Sequence, residues 1–391
     1  MYLIPIPKMN ILISLMYYRP HYSGLTIYAE RLARALAERG HHVTVLTSRF
    51  DDSLPDQEIK DGVNIIRPRV MFRISKGVIM PTLPYWATKL ITDADIVNAH
   101  APQPDAALMA MISKIHRKPF VLTYQCDLSL PNGFIHQLAG LGSNIANHIS
   151  ARVSKVIVTT SLDYAENSKF LQSYLHKVQP ILPPIHVETV YEEDKTAFRE
   201  KYEIDPGDRI VGMAARLASE KGVEYLIEAL PSVIERIPNV RVLFAGQYLN
   251  VLGEEAYAHK LAPMIEELGN HWKFLGILPP DEWAVFFHEA EVTVLPSINS
   301  TEAFGMVQVE SMICGTPVVS TDMPGVRQPV KMTGMGLIVP SRDAETLSQA
   351  LIEILNNPKL YAKDQESVRK QFSPHATAIQ YESLFNQLLQ D

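Results

Sequence analysis

The sequence predicts an α/β chain made of two doubly wound domains. Three observations carry that prediction. The chain has 391 residues, and single cores rarely grow beyond about 250–300. Short Val/Ile/Leu-rich runs recur along it, and amphipathic helical patterns separate them, as in parallel sheets covered on both faces.

The strand-like runs fall into two series. Met9–Leu15, His42–Thr47, Ile96–Ala99, Phe120–Thr123 and Val156–Thr160 form the first. Ile210–Met213, Val240–Ala245, Lys273–Leu275, Val292–Leu295, Pro317–Ser320 and Leu337–Val339 form the second. A helix is expected over Ile27–Arg39, closed by Gly40, and a last one over His375–Gln390. The join is expected in the proline-bearing stretch Gln179–Pro184 or the charged segment Glu188–Asp194. This gives domains over 1–185 and 186–371, with residues 372–391 returning to the first. Ligands of open α/β sheets bind beyond the carboxyl ends of the strands, so the expected site is a cleft between two facing sheets.

Composition narrows the class. Hydrophobic residues make up 47% and charged residues 20%, ordinary for a globular enzyme. Cys126 and Cys314 are the only cysteines, with neither disulfide-scaffold nor metal-type spacing. The first residues, MYLIPIPKMNILIS, read as the approach to a strand rather than a leader peptide. No run reaches the 18 or so apolar residues of a membrane span. The expected location is cytoplasmic. The net charge of −7 divides into +5 over residues 1–190 and −12 beyond them. An acidic second half argues against nucleic acid as a partner, whereas a basic first half suits the inner face of an anionic membrane.

A dehydrogenase is disfavoured because neither first-strand loop carries G-x-G-x-x-G. One reads YYRPHYSGLTIYAE, with Gly24 alone, and the other AARLASEKG. The second holds Arg216 and Lys221 at a helix entrance, where two cations can grip a diphosphate and stabilise a departing anion. Singly, each would be a solvated surface charge. The segment VLPSINSTEAFGMVQVESMICGTPVVSTD places Glu302, Phe304 and Gly305 in a turn beyond a strand, and Glu310 on the helix that follows. Eight residues of helix span roughly 12 Å, too far for a carboxylate acid/base pair but suited to two ends of one ligand. Amides near Gly305 open the helix and offer an anion site. Taken alone, the two glutamates would be surface residues; the position beyond a strand end favours binding.

These segments, in this order, resemble retaining glycosyltransferases of the GT-B fold, family 4. The similarity spans nearly the whole chain: the Gly24 loop, DIVNAH ending at His100, TYQCD, VTTS, AARLASEKG and Glu302 to Glu310. The resemblance implies that Arg216 and Lys221 bind the donor diphosphate and Glu310 the ribose. It implies that Glu302 and the backbone of Phe304, Gly305, Met306 and Val307 hold the sugar and phosphate, and that Gly276 and Ile277 lie against the base. Gly24 would approach the diphosphate and His100 the reacting sugar. Retention at the anomeric carbon and independence of any metal or cofactor follow from the same resemblance. Two positions depart from the family pattern. Ser23 precedes Gly24 where many relatives have a second glycine, and Gln125 stands where histidine is frequent, which leaves the role of Asp127 open.

On the acceptor side, RPRVMFRISKGVIMP interleaves Arg67, Arg69, Arg73 and Lys76 with apolar residues. That mixture suits a lipid-linked acceptor or an anionic bilayer surface, or a loop whose cations snorkel. Residues 133–149 offer a second interfacial element or a domain helix. The acceptor classes left open are glycans, lipid-linked molecules and small molecules. Competing functions are a sugar-nucleotide epimerase, a nucleotide-sugar binding protein without turnover, and a phosphorylase. The last would be longer and would need a lysine for pyridoxal phosphate.

Overall fold

The computed structural model describes residues 7–74, 77–127 and 134–390. Contacts divide the chain into two compact units, one running through Pro184 and resuming at Phe372, the other Ile185–Gln371.

The first unit holds β1 (Asn10–Ser14), β2 (His42–Leu46), β3 (Gln57–Lys60), β4 (Val63–Ile66), β5 (Phe72–Ile74), β6 (Gly77–Ile79), β7 (Ile96–Ala101), β8 (Phe120–Tyr124), β9 (Val156–Thr159) and β10 (Val178–Pro180). Eight of these form one sheet in the order β10-β9-β8-β7-β1-β2-β4-β3, and β5 and β6 form a separate hairpin. All ladders in the large sheet are parallel except β3–β4. Every residue of β7 and β8 is buried, as strands covered on both faces require. The sequence pattern missed β3, β4, β5, β6 and β10. β3 is a polar, mostly exposed edge (QEIK), Asn64 interrupts the apolar residues of β4 (VNII), and the other three are only three residues long.

The first helix spans Gly24–Glu38 rather than starting at Ile27. Ser23 is its N-cap, and its hydroxyl accepts from the Thr26 amide at 3.2 Å. Gly24 is therefore the first residue of the helix. The last helix, Pro374–Gln390, packs on it. A buried polar chain fixes that contact. Asn98 Nδ2 donates to Thr123 Oγ1 at 2.8 Å, and the Tyr381 hydroxyl meets Thr123 Oγ1 at 2.9 Å and the Tyr28 hydroxyl at 3.0 Å. Beside it, the buried Glu382 carboxylate joins His41 Nε2 at 2.8 Å and the Arg39 guanidinium.

The second unit holds β11 (Arg209–Ala214), β12 (Val240–Ala245), β13 (Trp272–Gly276), β14 (Val292–Leu295), β15 (Val318–Thr321) and β16 (Gly336–Val339). Their order, β13-β12-β11-β14-β15-β16, is entirely parallel. Counted from β11 this is 3-2-1-4-5-6, the order of doubly wound nucleotide-binding sheets. Chain direction across the sheet reverses between β11 and β14. In the first unit it reverses between β1 and β7.

Candidate active site

In the second unit the loops after β11 and β14 flank that reversal, where such sheets bind ligands. They carry Arg216 and Lys221, and Glu302 and Gly305, respectively. Three contacts hold the loops together. The Ile298 amide donates to the Glu220 carbonyl at 3.1 Å. Gly222 adopts φ +64° against β14's exit, where a Cβ would sit 2.2 Å from the Pro296 carbonyl oxygen. Only glycine satisfies both the positive φ and that approach. Lys221 Nζ then reaches Glu302 Oε2 at 2.5 Å, with each side chain 18% exposed.

An ammonium has three donors. With one directed at Glu302, two remain to donate elsewhere. Arg216 is more open: its guanidinium, half exposed, pairs with Glu220 four residues on at 2.9 Å. Both cations are thus oriented by a carboxylate of their own unit.

Glu302 lies outside the helix, which covers only Met306–Ile313. The 1.5 Å rise per residue therefore does not apply between Glu302 and Glu310, and the helical 12 Å estimate falls away. What opens the helix is Gly305, in the left-handed region at φ +76°. Phe304 is buried in front of it. Met306 and Val307 begin the helix, so their amides lack intrahelical acceptors. Gln308, wholly buried, clamps the turn by donating its amide to the Phe304 carbonyl at 3.0 Å and the Val326 carbonyl at 2.8 Å. Glu310 is also buried, and its Oε2 accepts from Trp283 Nε1 at 3.1 Å. Nothing in the sequence pointed to Gln308 or Trp283; the latter sits on the separate Pro280–Glu289 helix, 27 residues away. Ile277, just past β13, is 72% exposed.

In the first unit, Gly24 follows β1 and His100 lies near the end of β7, at that sheet's own reversal. His100 is wholly buried, and burial alone lowers its pKa to about 3, so the imidazole is neutral. Its Nδ1 lies 2.9 Å from Gln125 Nε2. Asp105 opens the helix after β7, and burial raises its carboxyl to about 6. Asp127 is engaged locally: Tyr124 and Ser168 hydroxyls donate to its Oδ1 at 3.0 and 2.7 Å, and its amide donates to the Tyr164 hydroxyl.

The basic segment expected on the acceptor side divides. Arg67 is 2% exposed, bonded to Glu58 at 2.6 Å and to the Arg19 carbonyl at 3.1 Å. It is therefore an internal strut and not a surface cation for a phosphate or bilayer. Arg69 is exposed, near Asp56 at 3.8 Å, and Arg73 donates to the Phe50 carbonyl. Lys76 lies outside the described residues. Among the described residues no three His, Cys, Asp or Glu gather as a metal site, and no helix is long and apolar enough to cross a membrane.

The family model for glycosyl transferases group 1 matches residues 194–371, and that for glycosyltransferase family 4 matches residues 22–188. An uncharacterized glycosyltransferase of Methanocaldococcus jannaschii is 26% identical over 85% of each chain. A phosphatidyl-myo-inositol mannosyltransferase of Mycobacterium leprae is 24% identical over 89% of this chain and 88% of its own. Among solved structures, Anabaena HepE in complex with UDP and glucose superposes with a TM-score of 0.76 at 20% identity, covering 97% of this chain and 99% of that one. Sucrose-phosphate synthase from Thermosynechococcus elongatus gives 0.73 at 21%, covering 98% and 100%. The two family models take up nearly the whole chain between them, and the chain belongs to the family 4 glycosyltransferases of the GT-B fold, enzymes that transfer a sugar to an acceptor.

Proposed function

We propose that the transfer retains anomeric configuration, uses a nucleoside-diphosphate hexose as donor, and needs no divalent metal. The observation that carries this is the Lys221–Glu302 contact beside the Gly305 turn, at the strand reversal of the second unit. Lys221 and Arg216 supply positive charge where the diphosphate departs, and the first amides of the Met306–Ile313 helix add their partial charge. Glu310, oriented by Trp283, accepts from the ribose hydroxyls. Glu302 and the turn from Phe304 to Val307 hold the sugar, and Ile277 lies against the base. Gly24 approaches the diphosphate and His100 the sugar. A diphosphate oxygen facing the acceptor takes the acceptor's proton.

For the acceptor, a hydroxyl of a polyol or lipid-linked polyol is supported by the inositol-directed relatives. Peripheral contact with the inner face of an anionic membrane is supported by the exposed Arg69, Met71, Phe72 and Ile79 around the β5–β6 hairpin. The test is a thermal-shift panel of ADP-, GDP-, UDP- and dTDP-sugars. Ligand at 100 times its dissociation constant adds about 2.7 kcal/mol. Proton NMR of the product formed in EDTA follows. An inverted anomeric centre, or transfer abolished by EDTA and restored by Mg²⁺, would overturn the mechanism.

A further inference from the structure

Gln125 follows β8 and turns its side chain toward β7. Its amide nitrogen lies 2.9 Å from His100 Nδ1 and 3.5 Å from the Leu25 carbonyl oxygen. A carbonyl oxygen only accepts, so the amide presents its NH₂ to this corner and keeps its oxygen away. An NH₂ group only donates, so Nδ1 must be the accepting nitrogen of the ring. A neutral imidazole with an accepting Nδ1 carries its proton on Nε2.

The ring is fixed as well as the proton. Tyr28 meets it edge to face, with centroids 5.7 Å apart at 69°. His100 Nε2 is buried, and no described residue offers it a hydrogen-bond partner. Buried N–H groups are nearly always partnered, and those left over at the carboxyl end of a parallel strand lie where ligands bind.

We infer that Gln125 is a positioning residue that locks His100 in the Nε2–H tautomer, so that His100 offers a substrate oxygen a hydrogen-bond donor and no lone pair for abstracting a proton. The inference rests on the proposed placement of His100 at the substrate. The oxygen belongs to a sugar hydroxyl or to a phosphate; both present the same acceptor chemistry.

The test uses the full-length protein labelled with ¹⁵N-histidine, with His100 assigned by comparison with His100→Gln. Long-range ¹H–¹⁵N correlation is expected to show protonated Nε2 and bare Nδ1. Gln125→Glu replaces the donor by a carboxylate of the same shape, which can only accept. It is expected to move the proton to Nδ1 and lower kcat by ~10²-fold, the usual loss for one directed donor, with nucleoside diphosphate affinity unchanged if the oxygen is a sugar hydroxyl and weakened if it is a phosphate. Gln125→His restores a ring N–H donor and is expected to return the Nε2–H pattern and most of kcat.

The probe ligands are ADP, GDP, UDP or dTDP, whichever raises the melting temperature most, with and without its sugar. A shift of the Nε2–H resonance on adding the diphosphate alone identifies phosphate; a shift seen only with the nucleotide sugar identifies a hydroxyl. A wild-type ring protonated at Nδ1 overturns the inference, as does a Gln125→Glu enzyme with wild-type kcat. So does an Nε2–H that no ligand moves. If Gln125→Glu does not fold, the wild-type spectrum decides alone. The tautomer is read without turnover, so absence of sugar transfer would sink the proposed function while leaving the tautomer assignment standing.

Discussion

Replacing Glu302 by glutamine should tighten the binding of bare nucleoside diphosphate while slowing sugar transfer. The carboxylate sits 2.5 Å from Lys221 Nζ. A phosphate oxygen on another donor of the same ammonium would lie about 2.8 Å from the nitrogen. Tetrahedral geometry then puts the two anions roughly 4.5 Å apart. Their repulsion is ~0.9 kcal/mol at a dielectric of 80 and ~3.7 kcal/mol at 20. Both side chains are 18% exposed, which places the site between those limits. An effect of about 1.4 kcal/mol, or tenfold in Kd, is expected. Glutamine keeps an oxygen for Lys221, so the loop geometry survives. Titration calorimetry of the wild type and Glu302→Gln with the nucleoside diphosphate reads the first effect, and single-turnover transfer the second. Unchanged or weaker diphosphate binding in Glu302→Gln would show that Lys221 does not share its charge between the carboxylate and a phosphate.

Three further outcomes can be measured. Asp105 has a raised pKa, about 6 against 3.8, so its contribution is present below pH 3.8 and lost as pH rises through 6. Asp105→Asn should therefore stabilise the protein by about 3 kcal/mol at pH 8 and hardly at all at pH 3.5, by urea unfolding; equal effects at both pH values would refute it. Trp283→Phe removes an indole donor from the buried Glu310 and should cost about 1–3 kcal/mol of unfolding free energy, again by urea; an unchanged midpoint would remove Trp283 from that role. Tyr381→Phe strips the hydroxyl joining Tyr28 and Thr123 and should lower stability by ~1–3 kcal/mol, with accelerated amide exchange in Pro374–Gln390. Unaltered exchange there would mean that apolar packing alone holds the helix.

Strands were legible where burial on both faces makes a continuous apolar run, as in Ile11–Ile13 and Ile210–Ala214. The loops after them were legible too, because charged residues stand out directly behind such runs. Order across the sheet was not legible. It depends on pairing between distant segments, and only the structure shows that the Lys221 and Glu302 loops flank one reversal. A helix boundary failed where a single residue decides it: Ser23 starts the first helix at Gly24 rather than Ile27. The turn up to Gly305 was legible, but the helical spacing does not extend back to Glu302. Arg67 was misplaced because a buried arginine and a surface one look alike until the partner, Glu58, is found. Gln125 registered only as a departure from its relatives; its meaning lies in a contact across 25 residues of chain.

The helix Pro374–Gln390 completes a unit whose other residues precede Ile185. A ribosome makes that unit's sheet first, yet Thr123 and Tyr28 must wait through the synthesis of nearly two hundred further residues before Tyr381 emerges to meet them. At about 5–20 residues per second, that interval lasts roughly 10–40 seconds. Through it the part of the Gly24–Glu38 helix that packs on Pro374–Gln390 stands uncovered, and Ile185–Gln371 is itself complete only ten residues before Tyr381. The unit begun first is therefore finished last, and the nascent chain would need a chaperone most in the interval when its second unit is already forming.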